Sequence, residues 1–170
     1  LDPHSFPTRR SSDLGLPYDS EERRLELLAD LKPVSPWFSI EILGEDPNLY
    51  VCPDYINYIG HNHVVYIYRL KSDYTISYIG SALDGMARVT GHRHSCKDFL
   101  LTGVAKSGNT KFYTAVGLHG WEAFEIATLA LPVASQLRDC ETSFLELRPE
   151  LNSMYAAGGR LRHSTQTDRK

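Results

Sequence analysis

Alternating and β-branched positions along the chain predict three strands. Residues 64–70 and 74–80 are rich in valine, isoleucine and tyrosine, and the polar link 71–73 between them is typical of a hairpin turn. Residues 123–131 have the same character. The pattern therefore predicts a small, mainly antiparallel sheet of three strands.

Helical periodicity surrounds these strands. Ser20 is a suitable cap for a short helix that has acidic residues in its first turn and stops near Pro33. Three further helices are predicted over residues 84–94, 110–119 and 133–147. Helices that flank a small antiparallel sheet predict the α+β fold class.

Composition divides the chain into four parts. Residues 1–14 resemble the conceptual translation of a common sequencing adapter, and we exclude them from the functional argument. Residues 15–60 predict an N-terminal helix followed by an irregular arm, because four prolines interrupt residues 33–60. Residues 61–152 form the main predicted domain, and residues 153–170 predict a truncated basic tail.

The overall composition is that of one globular domain. The chain has 170 residues, of which 42% are hydrophobic, enough for a single core. Three widely spaced cysteines imply no disulfide framework. Apolar runs are shorter than the roughly 18 residues that a membrane span needs, and no secretory signal pattern is present. We therefore expect a soluble intracellular protein that does not enter a membrane.

The chain has a net charge of −3, but its charged residues are unevenly distributed along the sequence. Residues 15–59 hold nine acidic and three basic residues, a net charge of −6, whereas residues 60–111 hold seven basic and three acidic residues, a net charge of +4. A local excess of positive charge can form a surface that faces phosphates. This basic block also contains the most informative motif of the chain.

That motif is Tyr78-Ile79-Gly80, with Arg88 ten positions and His92 fourteen positions after its tyrosine. On the predicted helix, Arg88 and His92 are four residues apart and share one face. Arginine can grip phosphate oxygens with its fixed fork, and a tyrosine, with an ordinary pKa of about 10, needs a cation or histidine nearby to act as a base. These residue types suit phosphodiester cleavage.

Glu141 interrupts an otherwise apolar helical stripe. It lies between Leu137 and Leu145, on the edge of the face predicted to be buried. Burial of an uncompensated carboxylate costs several kcal/mol, so a cation, a hydrogen-bond network or a metal ion is expected beside it.

These residues resemble the GIY-YIG endonuclease family, most closely its intron-encoded homing endonucleases of the fungal mitochondrial type. The resemblance covers residues 64–152 and implies that residues 61–152 are a nuclease-like catalytic domain. The tail over residues 153–170 is similar to the start of the DNA-binding repeats that often follow this domain. Tyr78-Ile79-Gly80-Ser81 matches the second motif, and Arg148-Pro149-Glu150-Leu151-Asn152 is similar to the end of the closing helix. Val64-Val65-Tyr66 stands where the first motif has Gly-Ile-Tyr, and Tyr68 is a less well-spaced alternative to Tyr66.

The resemblance implies a metal-dependent DNA endonuclease of the homing type. The catalytic residues it implies are Tyr66, Tyr78, Arg88, His92, Glu141 and Asn152. Glu141 would hold Mg²⁺ or Mn²⁺, no small-molecule cofactor is expected, and the partner would be double-stranded DNA. The DNA-contacting residues expected from the motif and the basic block are Gly80, Ser81, Arg93, Lys97, Lys106 and Lys111. Likeness to the subfamily also predicts a mitochondrial location.

Simpler hypotheses stand beside these assignments. Arg88 could pair with Asp84 on a helix surface, and the two tyrosines could be core residues. Glu141 could be a structural carboxylate bonded to a buried tyrosine, and Asn152 an ordinary turn residue. A zinc site would draw on the group His61, His63, His92, His94 and Cys96, but no Cys-x-x-Cys is present and the helical pair His92 and His94 would diverge.

Two further observations affect the functional hypothesis. Tyr58-Ile59-Gly60 has the letters of the second motif but no arginine ten positions later, so we interpret it as a chance match. The replacement of the first-motif glycine by Val64 leaves an alternative function, a degenerate and non-catalytic nucleic-acid-binding remnant of such an enzyme.

Overall fold

A computed structural model describes residues 20–42, 50–105 and 108–154 of the chain. The adapter-like residues 1–14, Lys106 and residues 155–170 of the predicted basic tail lie outside these described ranges.

The described strands form one antiparallel sheet of four strands, in the order β1-β4-β2-β3. The strands are β1 (Phe38–Ser39), β2 (Val64–Leu70), β3 (Ser77–Ala82) and β4 (Phe124–Ala130). The three predicted strands are present, and the α+β class is confirmed. The second strand was predicted over residues 74–80, but β3 begins at residue 77 and ends at residue 82, because the turn after β2 extends through residue 76. The prediction of only three strands is wrong, because β1 pairs with β4 through Phe38 and Ile126. A strand of two residues is too short to show the alternation that identifies a strand in a sequence.

Five α-helices lie in the described part of the chain. They are α1 (Glu21–Ala29), α2 (Pro53–Ile59), α3 (Gly85–Thr102), α4 (Thr110–His119) and α5 (Leu137–Leu145). Helix α4 has the predicted bounds, and the Ser20 hydroxyl caps α1 by accepting from the Arg23 amide at 3.1 Å. Helix α3 extends eight residues beyond the predicted end at residue 94, whereas the predicted helix 133–147 begins only at Leu137, after a 3₁₀ turn.

The prediction of an irregular arm over residues 33–60 is wrong for β1 and α2. Pro53 does not break structure here: it occupies the first turn of α2, where its missing N–H would have no helical partner. Tyr55 and Ile59 of this helix are fully buried. The Tyr58-Ile59-Gly60 sequence forms the end of α2, and Gly60 adopts a positive φ of 54° there, so it is not a strand motif.

The sheet is covered on both faces. Alternate residues of a strand point to opposite faces, so Tyr66 and Tyr68 share one core cluster while Val65 and Ile67 belong to the other. Helices α2, α3 and α4 contribute to the first cluster, and α1 and α5 to the second. None of the described helices combines the length and apolarity needed to cross a membrane. The predicted site residues are consequently divided between the two layers and meet at β3, the edge strand.

Candidate active site

The phenol of Tyr66 lies over Gly80, its partner on the neighbouring strand β3. A Cβ atom on Gly80 would lie 2.6 Å from the Tyr66 hydroxyl oxygen and 2.8 Å from its ring carbon Cζ. Real Cβ atoms do not approach heavy atoms so closely, and a ring on a strand has little room to retreat. Gly80 therefore makes room for the Tyr66 phenol.

Helix α3 supplies the partner of this phenol. His92 Nε2 lies 2.7 Å from the Tyr66 hydroxyl oxygen, and the imidazole is buried. Rings of four further residues pack around it: Tyr68, Tyr78, Phe112 and Tyr113. Tyr68 directs its hydroxyl elsewhere, to within 3.1 Å of the Tyr50 hydroxyl. Of the two candidate first-motif tyrosines, Tyr66 is the one that is hydrogen-bonded to His92.

The hydrogen bonds continue from His92 into helix α4. His92 Nδ1 lies 2.9 Å from the Tyr113 hydroxyl, and Asn109 Nδ2 donates to that hydroxyl at 3.4 Å. Tyr78 completes the set, because its hydroxyl donates to Asn109 Oδ1 at 3.2 Å. The two motif tyrosines are thus joined through three intervening side chains.

Asn109 and Tyr113 were not identified from the sequence. Asn109 is the residue before α4, and Tyr113 lies one turn later, so both meet the same neighbours. Asn109 and Tyr113 are four residues apart, and the apolar residues Phe112 and Val116 lie beside them on the buried side of α4. Because buried polar groups require partners, this spacing indicates that both side chains form hydrogen bonds in the core. The signal gives no indication that the partner is His92, which is distant in the chain.

Burial governs the electrostatics of Tyr66. Removal from water raises the pKa of Tyr66 well above its ordinary value, and nearby Tyr78 raises it further. The positive charge of Arg88 lowers this pKa, whereas the negative charge of Glu141 raises it. Both charged residues therefore act on this phenol, although they belong to helices on opposite faces of the sheet.

Arg88 is half-buried and lies one helical turn before His92, as predicted. Within residues 20–42, 50–105 and 108–154, no hydrogen bond or ion pair engages its guanidinium. Asp84 instead caps α3 by accepting from the Ala87 amide at 3.0 Å, and it binds His61 Nδ1 at 2.7 Å. The alternative of a surface pair between Arg88 and Asp84 is therefore wrong.

Glu141 is half-buried on α5, between the buried Leu137 and Leu145, as its position in the stripe predicted. The Ser81 hydroxyl donates to Glu141 Oε1 at 2.6 Å. Ser81 pairs with Val65 and points to the α5 face, opposite to Gly80. Glu141 therefore approaches the site from the other side of β3.

Asn152 holds the free edge of β3. Its Nδ2 donates to the Ile79 carbonyl at 2.7 Å, and its Oδ1 accepts from the Ile79 amide at 2.8 Å. The neighbouring Leu151 amide donates to the Ser77 carbonyl at 2.9 Å. In an antiparallel strand, every second residue directs its backbone groups to the same side, so Ser81 is the next residue to present its amide at this edge.

The predicted DNA-contacting residues are not all in one place. Gly80 and the half-buried Ser81 lie at the centre of the site, and Lys111 is exposed in the first turn of α4. Arg93 faces a separate cavity of about 60 Å³ beside Tyr50 and Cys52. Lys97 is half-buried on α3, and Lys106 lies outside the described residues.

The Glu141 carboxylate, which accepts from the Ser81 hydroxyl, is a hard oxygen ligand of the kind that divalent cations take. In the described part of the chain, no three His, Cys, Asp or Glu side chains come together as a metal site. Both ring nitrogens of His92 face tyrosine hydroxyls, and His61 binds Asp84, which disagrees with a zinc site built on them. Magnesium commonly uses one or two carboxylates together with waters and substrate phosphates, so a single glutamate fits it.

Comparison of the chain with protein-family models, with curated proteins and with solved structures finds no match.

Proposed function

We propose that this chain is a metal-dependent endonuclease that hydrolyses phosphodiester bonds in double-stranded DNA by GIY-YIG-type chemistry. The observation that carries the proposal is the buried Tyr66 phenol. It lies over Gly80, is hydrogen-bonded to His92, and is acted on by the opposite charges of Arg88 and Glu141. Perturbed groups of this kind, gathered from distant parts of a chain, are typical of active sites.

Arg88 would bind the scissile phosphate. Its guanidinium is always charged, is half-buried and has no side-chain partner among the described residues, so it is available to phosphate oxygens. Charge that is held in place before the reaction stabilises the extra negative charge of the transition state most effectively. Gly80, the cross-strand partner of Tyr66, and the adjacent Ser81 would contact the same strand of DNA.

Tyr66 would take the proton from the attacking water. The water oxygen forms a bond to phosphorus while the bond from phosphorus to the 3′-oxygen breaks, the water proton passes to the Tyr66 phenolate oxygen, and solvent protonates the departing 3′-oxygen. Because burial raises the pKa of Tyr66, the phenolate needs stabilisation. Arg88 and a hydrogen bond from His92 are the groups in place to provide it.

Glu141 would hold the divalent cation, and Ser81 would fix the orientation of its carboxylate. A cation held by Glu141 would supply positive charge that stabilises the scissile phosphate in the transition state. Asn152 would act at a distance from the chemistry by keeping the edge of β3, and therefore Ser81, in position. The homing role and the mitochondrial location remain predictions from the subfamily resemblance.

The direct test is nicking of supercoiled plasmid by the 170-residue chain in Mg²⁺ or Mn²⁺. Loss of one preorganised transition-state donor costs about 10²–10³ in rate, which is the reduction expected for Arg88→Ala. Glu141→Gln should lower the rate and weaken the dependence on metal concentration. Arg138→Ala is the matched control, since Arg138 is exposed on α5 three residues before Glu141.

Equal nicking by the wild type, Arg88→Ala and Glu141→Gln would contradict the proposal. Retention of DNA at low salt without cleavage in either metal would instead favour a non-catalytic nucleic-acid-binding protein.

A further inference from the structure

The hydrogen bonds that join Tyr78 to Tyr66 can be followed donor by donor. Tyr78 donates to Asn109 Oδ1, so the other end of the same amide, Nδ2, is directed at the Tyr113 oxygen. The Tyr113 oxygen therefore accepts a hydrogen bond from Asn109. A hydroxyl has a single hydrogen to donate, and His92 Nδ1 lies 2.9 Å away.

This order of donors favours one tautomer of the imidazole. If the Tyr113 hydroxyl donates to Nδ1, that nitrogen is an acceptor and carries no hydrogen. In a neutral imidazole the hydrogen then resides on Nε2, which lies 2.7 Å from the Tyr66 oxygen. His92 becomes the donor, and Tyr66 keeps its own hydrogen for a group outside the network.

We propose that Asn109 and Tyr113 are positioning residues that hold His92 in the Nε2–H tautomer, so that its imidazole donates a hydrogen bond to the Tyr66 oxygen. The role of these residues in catalysis rests on the proposed nuclease function. The tautomer of His92 can be measured even in a protein that cleaves no DNA. Neither residue contacts the phosphate. They act through His92, as the second hydrogen-bond partner of a catalytic histidine does in other enzymes.

The consequence is stabilisation of the Tyr66 phenolate. A donor 2.7 Å from the oxygen favours the charged form, whereas the opposite tautomer would present a lone pair to it. The charged and titratable groups that face Tyr66 are Tyr68 on its own strand, Tyr78 on β3, Arg88 and His92 on α3, Tyr113 on α4, and Glu141 on α5. Only Arg88 and His92 can favour the phenolate.

The first test is nitrogen NMR of the full chain labelled at histidine. In the wild type at neutral pH, we expect the His92 Nδ1 signal of an unprotonated nitrogen and the Nε2 signal of a protonated one. Tyr113→Phe removes the hydroxyl while keeping the ring, and should produce a mixture of tautomers. Asn109→Leu should shift the population in the same direction, because the Tyr113 hydroxyl is then free to turn.

Tyr55→Phe is the matched control. Tyr55 is also a buried tyrosine of the same core cluster, and its hydroxyl bonds Thr128 Oγ1 at 3.0 Å, outside the network. Its removal should leave the tautomer of His92 unchanged. A wild-type His92 protonated on Nδ1, alone or together with Nε2, would overturn the proposal whether or not the protein cleaves DNA.

The second test is the pH dependence of nicking. If the phenolate is the base, the rise of the rate with pH should move to higher pH in Tyr113→Phe. The nicking rate of Tyr113→Phe at neutral pH should be at least about tenfold lower than that of the wild type. A positioned general base contributes about 10²–10⁴-fold to the rate, and this variant should lose a part of that contribution. Tyr55→Phe should keep the wild-type profile. If the wild type is active, and Tyr113→Phe has the same pH profile and the same His92 tautomer as the wild type, the inference about Asn109 and Tyr113 is overturned but the nuclease function is not. If the wild type is inactive but has the expected His92 tautomer, only the nuclease function is overturned.

Discussion

The Tyr66 hydroxyl oxygen lies 2.6 Å from the point at which a Cβ atom on Gly80 would stand, so the missing side chain of Gly80 leaves the space that the Tyr66 phenol occupies. The two residues are cross-strand partners on β2 and β3, and they form one structural unit. The conformational freedom of Gly80 is not required for this, because Gly80 is absent from the glycines with positive φ.

Gly80→Ala should displace the Tyr66 ring and break its hydrogen bond to His92. Overpacking of this kind costs about 1–3 kcal/mol of unfolding free energy. Nicking should fall together with stability. Gly91→Ala is the matched control on α3, where an added Cβ meets nothing within 4 Å, and it should gain up to about 1 kcal/mol. Denaturant unfolding of both variants measures the difference, and an equal effect of the two would contradict the contact.

Val64→Gly restores the residue expected in the first motif, yet it should destabilise the protein. Val64 is fully buried, and one of its methyl carbons lies 3.2 Å from the Cβ position of Gly85, so the absence of a side chain on Gly85 admits it. Loss of the buried side chain costs about 2 kcal/mol, to which backbone flexibility adds up to about 1 kcal/mol. Thermal unfolding checks this. A more active and equally stable Val64→Gly protein would show that the valine is a defect.

Ser81→Ala should raise the Mg²⁺ concentration needed for half-maximal nicking. The Ser81 hydroxyl orients Glu141, and loss of such a partner commonly costs about 10–100-fold in metal affinity. Ser143→Ala is the control on α5, because the Ser143 hydroxyl donates to the Asp139 carbonyl of its own helix. If Ser81→Ala and the wild type need the same Mg²⁺ concentration, the Ser81 hydroxyl has no part in metal binding.

Arg69→Ala should destabilise the fold without changing the chemistry. The Arg69 guanidinium lies between the rings of Trp37 and Tyr74, 3.5 and 3.7 Å from their centroids, and binds Glu125 at 2.7 Å. Removal of one partner from a buried ion pair costs about 3–5 kcal/mol. The double variant Arg69→Leu with Glu125→Leu should lose less unfolding free energy than Arg69→Ala, because no charge is left without its partner. Chemical denaturation of both variants tests this, and a larger loss in the double variant would contradict the explanation.

Stability should decline steeply above pH 10. Burial raises the pKa of Tyr50, Tyr55 and Tyr68, none of which has a part in the proposed chemistry, above the ordinary value of 10.0. Below that pH the phenols are protonated in both states and their contribution is complete; above it the unfolded chain releases protons that the folded protein retains, so the free energy of unfolding falls.

Each such tyrosine adds up to about 1.4 kcal/mol per pH unit to this slope, so Tyr55→Phe should reduce it by that amount. The measurement is phenolate absorbance together with circular dichroism in an alkaline titration. Ionisation of the buried phenols before loss of the folded signal would contradict the assignment.

Much of the secondary structure could be predicted, because each helix or strand is indicated by residues that are close together in the sequence. The helix at residues 110–119, the cap at Ser20 and the positions of β2, β3 and β4 follow from side chains adjacent in the chain. Phe38–Ser39 and Pro53–Ile59 were missed since two paired residues show no period, and proline starts a helix as readily as it ends one. The helix predicted over residues 133–147 included Val133, but Val133 is exposed, because α5 begins after it.

The sequence by itself determined which residue types are available and which of them share a local face, such as Arg88 and His92 on α3. Only the tertiary structure decided that His92 bonds Tyr66, that Asn109 and Tyr113 complete the network, and that Glu141 reaches Ser81 from the opposite face. The physical reason is distance along the chain. Helix and strand patterns report neighbours within a few residues, whereas the contacts of His92 and Glu141 join residues 21 to 60 positions apart. Packing of the sheet between its two helical layers brings them together.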